Sequence, residues 1–261
     1  MNKLETPAAS PEPASADVPV WVPSQFKPES EMSDYARARK RRRRARQRDD
    51  YAGREFTLGE TVANSVSQGV AAALALVALI ILIVVAISHG GGIRLLAALL
   101  FAIPMVLSFV MSTLYHALQS DGAKRVFKVL DNSSTYLLIA GAFTPYCLIT
   151  LSGAGGTGLC IAEWLFAIAG VVIEAVWATR PRWIHGIIYA IMCVAFLAFI
   201  PALASSLATP GFVLLMAALL VLAISLGFRW FSGVRYLRFV FHLVAFAGCT
   251  CLFLSVVLFV I

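Results

Sequence analysis

Residues 66–88 read VSQGVAAALALVALIILIVVAIS and carry no charged side chain. At 1.5 Å per residue a helix of this length covers the ~30 Å hydrocarbon core of a bilayer. A backbone at that depth finds no water to bond, so only a helix satisfies its own N–H and C=O groups there. Six further apolar runs follow at 93–118, 129–151, 158–179, 183–206, 211–230 and 238–261. Each is about 20 residues, the length of one crossing. The pattern predicts an all-α membrane protein: a seven-helix bundle over 56–261, preceded by a disordered basic tail over 1–55.

The basic residues orient it. Of 21 Lys and Arg, 12 precede residue 66, three follow the second run (Lys124, Arg125, Lys128), two follow the fourth (Arg180, Arg182) and three follow the sixth (Arg229, Arg235, Arg238). The opposite loops hold only Arg94. Short basic loops stay in the cytoplasm, which predicts a cytoplasmic N-terminus, an external Ile261 and a multi-pass protein of the cell membrane. Composition excludes a soluble enzyme: 60% of residues are hydrophobic, 13% are charged and the mean hydropathy is +0.83, against roughly 45–50% apolar and 25% charged in soluble domains. The net charge of +7 concentrates in RARKRRRRARQR, Arg37 to Arg48. That run can attach to anionic headgroups at about 1 kcal/mol per basic residue, or serve only as a cytoplasmic retention signal. A nucleic-acid partner is not expected.

Cys147, Cys160, Cys193, Cys249 and Cys251 lie in or at the ends of the runs and read as small apolar fillers. Trp164, Trp177, Trp183 and Trp230 fall near run ends, as headgroup anchors do. The informative polar residues are those that depth brings together. The second run ends in Ser112-Thr113-Leu114-Tyr115-His116, the third begins Leu130-Asp131-Asn132-Ser133, and the seventh begins Arg238-Phe239-Val240-Phe241-His242. Ser112 and His116 are four residues apart and share a helix face, as do Arg238 and His242. Three helices thus offer ionisable groups at one level just inside the cytoplasmic face, where such groups turn inward and mark a site. Imidazole nitrogen and carboxylate oxygen are both zinc donors. Glu174 is expected to snorkel toward Arg180 or Arg182 and His185 to sit among headgroups. The sharper alternative makes both part of the polar cavity.

At these residues the chain resembles the hemolysin III family, within the progestin and adipoQ receptor superfamily of seven-span proteins. The resemblance rests on Glu60-Thr61-Val62-Ala63-Asn64-Ser65, on Ser112-Thr113-Leu114-Tyr115-His116-Ala117, on the stretch from Leu130 to Pro145, and on Phe241-His242-Leu243 with Gly248. It implies a zinc ion near the cytoplasmic face, held by one His of an S-x-x-x-H motif and two His of the last span, with an Asp on the third span positioning a bound water. His116, His242, Asp131 and Ser112 match those roles. The first His of the last-span pair is here Arg238, a permanent cation with no lone pair. Gln68 and Asn132 also stand where the family pattern has His. The expectation is a degenerate site that holds zinc weakly.

Two function classes follow from the resemblance. One is a zinc-dependent intramembrane hydrolase acting on a lipid amide or ester, with Asp131 and Ser112 at the reacting centre. The other is a lipid-sensing or membrane-homeostasis protein whose helical cavity holds an acyl chain while Arg238 reads an anionic headgroup. Arg238 favours the second.

Overall fold

The computed structural model describes residues 36–37, 57–118, 120–176, 183–230 and 234–261. Most of the tail over 1–55, including the basic run beyond Arg37, lies outside the described residues, as do Trp177, Arg180 and Arg182 and the side chains of Trp183, Arg229 and Trp230. Within unit Arg46–Ile261 the regular elements are helices: α1 (Leu58–Ser88), α2 (Ile93–Ala117), α3 (Asp121–Pro145) running on into a π-helical turn (Tyr146–Thr150), α4 (Gly156–Val176), α5 (Trp183–Leu197), α6 (Ile200–Ser206), α7 (Thr209–Trp230) and α8 (Leu237–Phe259).

Five of these, α1, α2, α4, α7 and α8, are long and apolar enough to cross a membrane. The run at 183–206 is broken rather than continuous. Helix α6 bends away from α5 by 46°, with Pro201 in its first turn, a position where the missing N–H costs nothing; together they make a sixth candidate. The run at 129–151 is helical, but α3 starts earlier, at Asp121, where Ser120 caps it by accepting from Ala123 N at 3.3 Å. Its first three turns therefore carry Lys124, Arg125, Lys128 and Asp131.

Helix α1 shows how a bilayer inverts the usual patterning. Thr57 and Glu60 form a capping box, with Glu60 N donating to Thr57 Oγ1 (3.2 Å) and Thr57 N donating to Glu60 Oε2 (2.9 Å). Its buried face is Glu60, Asn64, Gln68, Ala71, Ala75, Ala78, Leu82 and Ala86, spaced by three or four residues as one helix face requires. The exposed face is Val66, Val70, Val77, Ile80, Val84 and Ile87. Polar and small side chains point inward, and branched apolar ones point toward lipid. The helix ends at Gly90, Gly91 and Gly92, whose φ values of 103°, 60° and 56° suit residues without a Cβ.

Around the bundle α1 packs on α2 and α8, α2 on α3, α3 on α4, α4 on α5, and α7 on α8. At the α2–α3 contact a Cβ on Gly141 would sit 2.5 Å from the Leu100 carbonyl oxygen, so only glycine admits this approach. Helices α1 and α8 are parallel neighbours. At one end Tyr236 N donates to Glu60 Oε1 at 2.8 Å; at the other Arg94 Nη1 donates to the Ile261 carbonyl oxygen at 2.6 Å.

Candidate functional site at the basic end of the bundle

The last turn of α2 and the second turn of α8 bring His116 and His242 together. Their Nε2 atoms are 3.3 Å apart, and the rings meet edge to face at 5.2 Å between centroids and 80° between planes. Both are buried, as is Ser112 one turn before His116. One level deeper, Phe109 of α2 meets Phe246 of α8 edge to face at 5.8 Å, which fixes the two helices at the spacing that the imidazoles need. The Nε2 contact joins a donor to an acceptor, so one ring presents N–H and the other its lone pair. The permanent cations whose fields reach His116 are Arg238 and Lys124. The Lys124 ammonium lies 5.8 Å above the Tyr115 ring, a cation–π distance.

Two nitrogens bound to one tetrahedral zinc at ~2.05 Å would stand about 3.3 Å apart, so the imidazole pair has the spacing of two zinc ligands. The rest of a zinc site is not assembled around it. Arg238, four residues before His242, has no lone pair to give. Among the described residues no group of three or more His, Cys, Asp or Glu side chains is gathered so as to hold a metal ion. Asp131 is half-buried on α3, where its carbonyl accepts from Ser134 Oγ (2.8 Å) and Thr135 Oγ1 (3.1 Å), and its carboxylate does not complete such a group with the two histidines. A closed three-ligand zinc centre does not fit the side chains among the described residues.

A second polar cluster lies between α3, α4 and α5. Asn132 Nδ2 donates to Glu174 Oε1 at 3.0 Å, the Tyr136 hydroxyl meets His185 Nδ1 at 2.8 Å, and Glu174 Oε2 lies 3.5 Å from that same nitrogen. Glu174 is 4% and His185 8% exposed. The expected snorkelling of Glu174 and headgroup location of His185 are therefore corrected: both turn into the bundle. The physical reason is that Asn132 and Tyr136, one turn apart on α3, supply the hydrogen bonds that make burial affordable. The available signal was Asn132 itself, a polar residue adjoining Asp131 at the depth of Glu174.

A helical bundle with an apolar outer face, small and polar residues inside, and a buried polar level at one end is a multi-pass integral membrane protein. The haemolysin-III related family model matches residues 56–240, and the chain belongs to that family. It is 32% identical over 202 residues to Hemolysin-3 of Bacillus cereus, covering 77% of this chain and 92% of that protein. It is 27% identical over 201 residues to the Hemolysin-3 homolog of Bacillus subtilis (strain 168), covering 77% and 94%.

Proposed function

We propose that this chain is a lipid-sensing or membrane-homeostasis protein of the cell membrane, carrying a degenerate zinc site at its cytoplasmic end. The observation that carries the reading is the His116–His242 pair at 3.3 Å with Arg238, rather than a third ligand, one turn away. Arg238 and the imidazoles form a donor-rich, cationic level suited to the anionic headgroup of a bound lipid, with the acyl chain among the apolar side chains above. Headgroup contacts of the basic run from Arg37 to Arg48 belong to the same proposal. Seven crossings are supported by parity, and a cytoplasmic N-terminus by the placement of the basic residues. Helices α1 and α8 run the same way, which needs an odd number of crossings, and the five apolar helices plus the bent α5–α6 pair make six. Helix α3 then supplies the seventh.

Elemental analysis after mild chelation tests the metal side of this reading. The wild type retains little zinc, and Arg238→His retains more, because the change restores a third imidazole and removes a cation beside the other two. Near-stoichiometric zinc in the wild type would return the hydrolase alternative, with Asp131 and Ser112 at its centre, to first place.

A further inference from the structure

The buried face of α4 holds two carboxyls. Glu163 lies seven residues into the helix, and Glu174 follows 11 residues later, three turns and therefore on the same face, about 16 Å along the axis. Between them that face is Ala167 and Gly170. Glu163 is 1% exposed, and neither of its oxygens has a hydrogen-bond partner. An ionisable side chain within an apolar crossing is costly and tends to mark a pathway, and a buried polar group without a partner calls for an explanation. The titratable groups around Glu163 are thiols: Cys160 of its own helix, Cys147 of the turn after α3, and Cys193 of α5. None of them holds its oxygens. The Thr144 hydroxyl of α3, which meets Cys160 Sγ, accepts from Trp164 Nε1 at 3.0 Å and donates to the Ala140 carbonyl at 2.8 Å.

The geometry points to a proton-transfer line along this face, with Glu163 as its site toward the far end and the Glu174–His185 pair as its site toward the basic end. The apolar cluster of Tyr136, Ala140, Ala167, Tyr189 and Met192 closes the interval between them. Tyr136 is the residue placed to open it. Its ring lies directly against Gly170, where an added Cβ would come within 2.6 Å of the ring, and its hydroxyl holds His185 Nδ1. Swinging the ring out of the α4 face admits water between the carboxyls and frees His185 in the same motion. In a transfer, one O–H bond forms on Glu163 as a proton arrives, and one O–H or N–H bond breaks at the Glu174–His185 pair as a proton leaves. No electrons move and no bond to carbon or sulfur changes. This inference is independent of zinc or lipid at the His116–His242 pair.

The test uses the full-length protein in phosphatidylcholine–phosphatidylglycerol vesicles, with an imposed pH gradient, potassium and valinomycin to cancel the membrane potential, and a trapped pH dye. The wild type dissipates the gradient several-fold faster than empty vesicles. Glu163→Gln and Glu174→Gln fall back toward the empty-vesicle rate, and Tyr136→Ala exceeds the wild type. That last gain of flux is not produced by a variant that merely fails to fold. Dicyclohexylcarbodiimide, which attacks carboxyls in apolar surroundings, modifies Glu163 by peptide mass and blocks the wild-type flux. A wild-type rate no faster than empty vesicles, or Gln variants that keep the wild-type rate, would overturn the inference; so would an unmodified Glu163.

Discussion

Helix α3 separates two buried polar clusters that differ in how they are held. On one side His116 and His242 meet through a single 3.3 Å contact between helices far apart in the chain, beside cations. On the other, Asn132, Tyr136, Glu174 and His185 close on one another at 2.8, 3.0 and 3.5 Å and join three helices. A network with several contacts among three helices rigidifies them. The imidazole contact ties α2 to α8 and lies in the field of Arg238 and Lys124. The first cluster thus ties α2 to α8, and the second ties α3 to α4 and α5. This difference predicts that perturbations on either side of α3 stay on that side.

The largest effect is expected at the support of the first cluster. The Glu60 carboxylate accepts from Thr57 N, Thr57 Oγ1 and Tyr236 N, at 2.9, 3.1 and 2.8 Å. Tyr236 is the N-cap of α8 and stands in the left-handed region at φ 59°, a conformation that costs a non-glycine residue and must be held by its surroundings. Glu60→Ala removes the acceptor of three part-buried hydrogen bonds at both helix starts and costs about 3 kcal/mol in total, read as thermal unfolding in detergent. Histidine NMR should show His116 and His242 displaced, because α8 loses its anchor two residues before Arg238, while His185 stays in place. A displaced His185 would break the proposed independence of the clusters.

Gly170→Ala attacks the second cluster from its other face. The new Cβ meets the Tyr136 ring at 2.6 to 2.8 Å, and that ring is also packed on Tyr189 at 4.7 Å between centroids, so it has little room to retreat. Overpacking of this kind costs about 2 kcal/mol. His185 should shift and the imidazole pair should not.

These contrasts also explain what the sequence made legible. The apolar runs were readable because crossing a bilayer imposes one composition over one length, and α1, α2, α4, α7 and α8 follow it. Pro201 stood in view, yet the 46° bend at α6 depends on where the neighbouring helices stop, which no local pattern encodes. The meeting of His116 and His242 was readable because each sits a few residues from a span end, so depth alone nearly places it. Glu174 and His185 were misjudged for the opposite reason. The local sequence offers Arg180 and Arg182, whereas the hydrogen bonds that hold Glu174 and His185 inside come from 42 and 49 residues away on α3. Glu163 is visible in the sequence as a carboxyl within an apolar run, but its lack of a hydrogen-bond partner depends on how α3, α4 and α5 pack.

Tyr136→Phe is the smallest change and the finest probe of the comparison. The ring and its packing on Gly170 remain, and only the 2.8 Å contact with His185 Nδ1 is removed. Glu174 Oε2 stands 3.5 Å from that nitrogen, too long for a good hydrogen bond but within reach of a small ring rotation. The partial replacement should hold the loss to about 1 kcal/mol, the net worth of one ordinary hydrogen bond. Nitrogen NMR on labelled histidine should show the His185 Nδ1 resonance moving as its partner changes from a hydroxyl to a carboxylate, with His116 and His242 unmoved. A loss far above that figure would mean that the hydroxyl holds α3 to α5 by itself. A shift at all three histidines would mean that α3 transmits rather than separates, and the two clusters would then be one site.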